Sequence, residues 1–152
     1  MKELDEIIYD ALTADQSIVA LVQDRIQHTC FEVPDYENDN TPLPYLIIID
    51  DPFQNETGTK DDLWESDTDR VQVSVEIAAN SPAEVKQLRR MVRQAIAAHV
   101  ASLPYADTPQ LVSSSNDGIA WDWLKPCYYD RLHYQCDVNI HDYGQEENGS
   151  ES

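Results

Sequence analysis

The chain has 152 residues, 41% of them hydrophobic, which is enough to bury one sizeable core and too apolar for general disorder. Its formal net charge of −19, from 29 acidic against 10 basic residues, repels nucleic-acid backbones and anionic lipid, so direct DNA or membrane binding is not expected. Apolar runs such as Leu46-Ile47-Ile48-Ile49, which stops at Asp50-Asp51, fall far short of the roughly 18 residues that span a bilayer.

The first predicted element is a helix, because Leu4, Ile7, Ile8, Ala11 and Leu12 recur at three- and four-residue spacing. Thr13-Ala14-Asp15-Gln16 fits a capping box opening a short second helix that carries Ile18, Val19, Leu21 and Val22. Arg25 to Val33 reads as a weak strand, and Pro34 to Pro42 as a polar loop. Leu43 to Asp50 is a strong strand: Tyr45, Ile47 and Ile49 face one side, Leu46 and Ile48 the other, so it should be covered on both.

Pro52 to Asp69 is acidic and aperiodic, with Leu63-Trp64 at its middle, and reads as a long excursion from a hairpin. Arg70 to Ala78 alternates strictly. Val71, Val73, Val75 and Ile77 form an inner face, while Arg70, Gln72, Ser74 and Glu76 form an outer one. Ser81, Pro82 and Glu84 then cap a helix whose stripe runs Val85, Leu88, Val92, Ala95, Ile96, Val100 and Leu103 until Pro104 stops it. Ile119 to Leu124 is a further strand, with Ile119, Trp121 and Trp123 on one side. Tyr128 to Tyr143 alternates with Leu132, Tyr134, Cys136, Val138 and Ile140 inward.

This order predicts an α+β fold: an antiparallel sheet of about four to five strands with helices packed on one face and one long hairpin excursion. Residues 1–143 are expected to form a single domain and residues 144–152 a flexible acidic tail.

No catalytic constellation emerges. The stretch Gly144 to Gly149 is followed by Ser150 where a phosphate-binding loop needs Lys. His133 and Cys136 lie an odd number of residues apart and so on opposite faces of a strand, which argues against a shared zinc site with His141. His28 and Cys30 share a face but lack a second pair. Asp50-Asp51, with Glu65, Asp67, Asp69 and Glu76 downstream, is the best place for a metal-dependent enzyme; with 29 acids, a solvated acidic loop is much the better explanation.

Ser113-Ser114-Ser115 is a turn-like run without a nucleophile elbow. Cys30, Cys127 and Cys136, an odd number, fit free thiols of a reducing compartment, each serving as a small strand hydrophobe. The acidic N-terminus has no signal-peptide apolar region, so an intracellular soluble product is expected. Eighteen Asp and only four Lys is a balance of the kind found in proteins of halophiles.

Several phrases in sequence order resemble the phage tail-terminator and tail-completion family, including the lambda-like minor tail proteins that form rings. The opening Ala11-Leu12-Thr13-Ala14-Asp15, continuing through Val19-Ala20-Leu21-Val22 to Asp24-Arg25-Ile26, resembles the family's helix, turn and "DRI" entry to the first strand. Pro44 to Ile48, Arg70 to Val75, Ser81 to Glu84 and Tyr128 to Ile140 resemble its later strands and helix start. The segments Pro52 to Asp69 and Ala101 to Gly118 are longer than that pattern.

The resemblance implies a non-enzymatic virion subunit without cofactors, in a homo-oligomeric ring of six. Such a ring caps the tail tube and joins it to the head connector, with the tail-tube protein and a head-completion or stopper protein as partners. It also implies a place in the tail or neck, with assembly in the host cytoplasm of a bacterial or archaeal virus. DNA would pass through the ring without sequence-specific binding. Another neck or tail subunit, such as a head-completion or tail-tube protein, is the alternative. The expected interaction loop comprises Asn55, Asp61, Asp62, Leu63, Trp64, Glu65 and Asp67.

Overall fold

The computed structural model describes residues 2–28, 42–55 and 66–142. The chain opens with α1 (Leu4–Ala14), and every apolar position of the predicted stripe, Leu4, Ile7, Ile8, Ala11 and Leu12, is buried. Helix α2 (Gln16–Val22) follows at once. Its cap is Asp15, whose carboxylate accepts from the Ile18 N–H at 3.0 Å. Thr13, expected to cap, instead donates its hydroxyl back to the Tyr9 carbonyl at 2.8 Å, since it still lies inside α1.

The sheet contains β1 (Ile26–His28), β2 (Tyr45–Asp50), β3 (Gln54–Asn55), β4 (Thr68–Ala79), β5 (Gln110–Asn116), β6 (Ala120–Asp122) and β7 (Cys127–Asn139). Its order is β1-β2-β4-β7-β5, with β3 beside β4 and β6 beside β7. The fold is α+β as expected. The sheet is mixed, however, with seven strands among the described residues: β1 runs parallel to β2, and the other described pairs are antiparallel.

Helix α3 (Pro82–Ser102) lies between β4 and β5 in the chain. Ser81 caps it by accepting from the Glu84 N–H, and the Glu84 carboxylate accepts from the Asn80 N–H, each at 3.2 Å. Its Val85, Leu88, Val92 and Ile96 pack with Val73, Val75 and Ile77 of β4 and with α1 in one core. Strand β2 is covered on both faces as its sequence demanded: Leu46 and Ile48 join the helix-side core, while Tyr45 and Ile47 join a smaller cluster with Ala78 and Cys127 on the opposite face.

Three strand expectations change. Ser113-Ser114-Ser115 is not a turn but the middle of β5, which among the described residues is an edge strand paired with β7. All seven residues of β5 are exposed, so burial imposes no alternation for a reader to find. Trp123 and Leu124 leave β6 for the turn into β7. Ile140 begins a short 3-10 turn (Ile140–Asp142) instead of extending β7.

Candidate interaction surface

The predicted loop departs from a tightly held neck. Asn55, at the end of β3, pairs with Asp69 across the ladder. Its side-chain oxygen accepts from the Ser66 N–H at 3.0 Å. Its amide nitrogen lies 3.0 Å from the Ser66 carbonyl and 2.7 Å from the buried Asp69 carboxylate. Asp67, on the returning side, accepts through its carbonyl from Ile140 N–H at 2.8 Å, and its carboxylate lies 3.2 Å from His141 Nε2. The structure therefore brings Asn55 and Asp67 together at one end of the β4–β7 ladder. Asp61, Asp62, Leu63, Trp64 and Glu65 lie outside the described residues.

Asp50 and Asp51 do not meet. Asp50 stands in register with Val73 on the helix face, beside Glu3 and Asp5. Burial, then the charge of Asp5, push its carboxyl above the ordinary range, partly countered by His28. Asp51 lies on the other face, accepting from Gln72 Nε2 at 3.0 Å and from the Ser74 hydroxyl. A strand sends successive side chains to opposite faces, so the pair cannot share one cation. Of the downstream acids, Glu76 is paired with Arg131 at 3.0 Å and Asp69 is bound into the neck. Among the described residues no group of three His, Cys, Asp or Glu is arranged for a metal. His133 and Cys136 do take opposite faces, by their register with Ser74 and Val71.

The face of β4 read as half-buried and polar is in fact largely enclosed, and its polar groups satisfy one another. Ser74 is fully buried. His133 Nδ1 lies 2.8 Å from Ser74 Oγ, and His133 Nε2 lies 2.8 Å from Asp117 Oδ1. Gln135 donates to Gln72 Oε1 at 2.9 Å, and Ser113 donates to Gln135 Oε1 at 3.1 Å. The order Ser, His, Asp imitates a hydrolytic triad, but a serine with no exposed surface cannot reach a substrate. Instead the row ties the Asp51 turn to β4, β7 and β5.

Asp130, which the sequence reading passed over, is the second organising residue. It is fully buried on the helix face. Its carboxylate accepts from Arg89 of α3 at 2.8 Å, from Asn116 at 2.9 Å, and from the N–H groups of Gly118 and Arg131 at 2.9 and 2.8 Å. Burial alone would raise its pKa; the four hydrogen bonds, led by Arg89, outweigh burial and hold it below the ordinary value. Gly118, at φ +97°, supplies the left-handed turn that aims its N–H at this carboxylate. The available signal was an acid at an inward position of β7, two residues before Leu132, with arginines on the preceding helix.

Cys127 and Cys136 are buried strand residues, and burial pushes the Cys136 thiol up to about 11, so both serve as small apolar side chains.

A family model described as "Tail completion protein gp17" matches residues 6–118, well over half of the chain. That span includes α1 to β5 and leaves β6 and β7 outside. Among solved structures, a chain of the "Virion of native gene transfer agent (GTA) particle" is similar at 16% identity, with a TM-score of 0.49, covering 90% of this chain and 94% of that one. No curated protein matches.

Proposed function

The chain belongs to the tail completion protein gp17 family, a family of structural virion proteins, and from that premise we propose that it is the ring-forming subunit that ends the tail tube. In this reading several copies, six by the family resemblance, close head to tail. The ring meets the tail-tube protein on one side and a head-completion or stopper protein on the other. No chemistry is required of it, in keeping with a Ser74 hydroxyl that is fully buried beside His133.

The observation that carries this reading is the neck. The fold commits a buried Asp69 and the whole side chain of Asn55 to fixing both ends of an acidic segment that has no regular pattern of its own. A segment anchored so firmly at its base is suited to presenting Leu63 and Trp64 to a neighbour, where a tryptophan is an effective anchor. The net charge of −19 fits a lumen from which DNA phosphates are repelled as they pass.

Replacing residues 56–65 with a short Gly-Ser link, with Asn55 and Ser66 kept, tests the reading. The expected outcome is a subunit of unchanged melting temperature that no longer complements tail completion in infected cells. Joined, infectious particles from that variant would refute it. A particle reconstruction that locates the chain then decides between the tube end and another neck or tail position.

A further inference from the structure

The turn between β6 and β7 and a cleft at the far end of the sheet are complementary surfaces of the same chain. In the turn, Trp123 is 85% and Leu124 is 77% exposed. They are nevertheless held in place. Trp121 packs edge-on against Tyr128 at 4.8 Å, and Trp123 packs edge-on against Trp121 at 6.0 Å. The Asp122 carboxylate accepts from the Leu124 N–H at 3.0 Å, and the Lys125 ammonium sits 4.5 Å above the Tyr45 ring. A rigid, protruding Trp-Leu pair on so charged a chain is an anchor whose ordering cost is already met.

The cleft lies between α3, α1 and the β5–β7 edge. Its volume is about 490 Å³. Ile8, Ile96, Ala97, Val100, Leu111 and Tyr134 supply its apolar lining. The only charged side chains along it are Arg90 and Arg93, both exposed, among described residues of a chain that is otherwise strongly acidic. Helix α3 carries four of the ten basic residues, Lys86, Arg89, Arg90 and Arg93, so positive charge is concentrated there. An apolar hollow flanked by guanidinium groups suits an aromatic ring beside a carboxylate, through both cation–π and ion-pair attraction. Trp123 next to Asp122 is that combination.

The turn cannot fill its own cleft. It precedes Cys127, whereas the cleft floor lies at Tyr134 and Cys136, seven to nine residues further along β7. At roughly 3.3 Å per residue that is roughly 23–30 Å of rigid strand. A protrusion and a hollow at opposite ends of one subunit can be joined only between copies, and joining them is a heterologous, head-to-tail contact, the kind from which rings are built when the rotation between copies closes.

We propose that the Trp123-Leu124 turn of each copy docks in the α3–β5 cleft of the next. This rests on the ring reading above and assigns its contact surfaces.

The test is a photoreactive benzoylphenylalanine in place of Gln94, an exposed residue of the cleft, in the full-length chain. A mixture of isotopically light and heavy protein is illuminated at rising concentration while its mass is followed by light scattering. The expected result is a ladder of covalent multimers whose linked peptides join residue 94 of one copy to residues 121–125 of another. Crosslinks to the turn of the same copy, to residues 56–65, or to nothing would overturn the docking.

A defined oligomer with crosslinks elsewhere would overturn the docking and leave the ring standing. Head-to-tail crosslinks in an open chain would support the docking and refute closure. Trp123→Ala, on an exposed turn that the core does not need, should weaken self-association about 30-fold or more, as loss of a tryptophan anchor does. Unchanged association would also overturn the proposal.

Discussion

The two faces of the sheet are covered to different degrees and by different means. On the helix side, Val73, Val75, Ile77, Leu132 and Leu88 exclude water by apolar packing. On the other side, beyond the small cluster around Ile47, the side chains of Gln72, Ser74, Glu76, Arg131, His133 and Gln135 close over one another by hydrogen bonds. Apolar packing tolerates similar shapes and fails when volume is lost. A hydrogen-bonded row tolerates little chemical change, since each deletion leaves a partner short of a hydrogen bond. The two faces should therefore respond to different substitutions.

The largest effect is expected on the packed face. Leu88→Ala or Val73→Ala should cost about 2–5 kcal/mol in urea unfolding, as for buried aliphatic truncations generally. If neither changed the unfolding midpoint, α3 would not rest on β4 through this stripe.

Asp130→Asn comes next, at about 1.5–3 kcal/mol, the range for hydrogen bonds to a charged group. Here pH sharpens the comparison. The folded-state pKa of Asp130 lies below its unfolded value of 3.8, so its stabilisation is fully present above that value and disappears as pH falls through the folded pKa. The substitution should flatten the acid limb of the stability curve, and an unaltered limb would show that another carboxylate governs it.

On the polar face, Ser74→Ala should cost about 0.5–1.5 kcal/mol, because Asp51 and His133 lose a shared partner while each keeps a second one. Replacing Gln135, at the half-buried outer end of the row, should cost less.

The smallest effect concerns charge common to both faces. Melting measured from about 0.1 to 2 M KCl should rise as the Debye length falls from roughly 10 Å to below 3 Å. A steep rise would support a halophilic host for this Asp-rich chain, and a flat curve would remove that idea without touching the ring.

How much of this was legible depended on burial. The stripes of α1 and α3, the double-sided β2 and the alternation of β7 were readable because one side of each element must be apolar. Strand β5 was not, because an exposed edge accepts Ser-Ser-Ser as readily as a turn does. The parallel placement of β1 against β2 is a matter of topology, which hydrophobic period does not encode. The loop neck was half legible: Asn55 and Asp67 were picked out as candidates for contact, yet their described partners lie within their own subunit. Asp130 was missed because an acid at an inward position has meaning only once Arg89 and Gly118 are known to converge on it.

The β4–β7 ladder also bears on how the subunit comes into being. Its twelve register pairs join Thr68 to Asn139 and Ala79 to Tyr128, with all of α3 and β5 between them in the chain. Every one of those pairings closes a long loop before it gains anything, which makes the central ladder a slow step in folding. On the ribosome, β4 is complete long before β7 emerges, and its apolar face must wait under α1 and α3 with one edge unpaired. The supply of assembly-competent subunits would then be limited by the arrival of the last strand, and the same strand delivers the Trp123-Leu124 turn at its base.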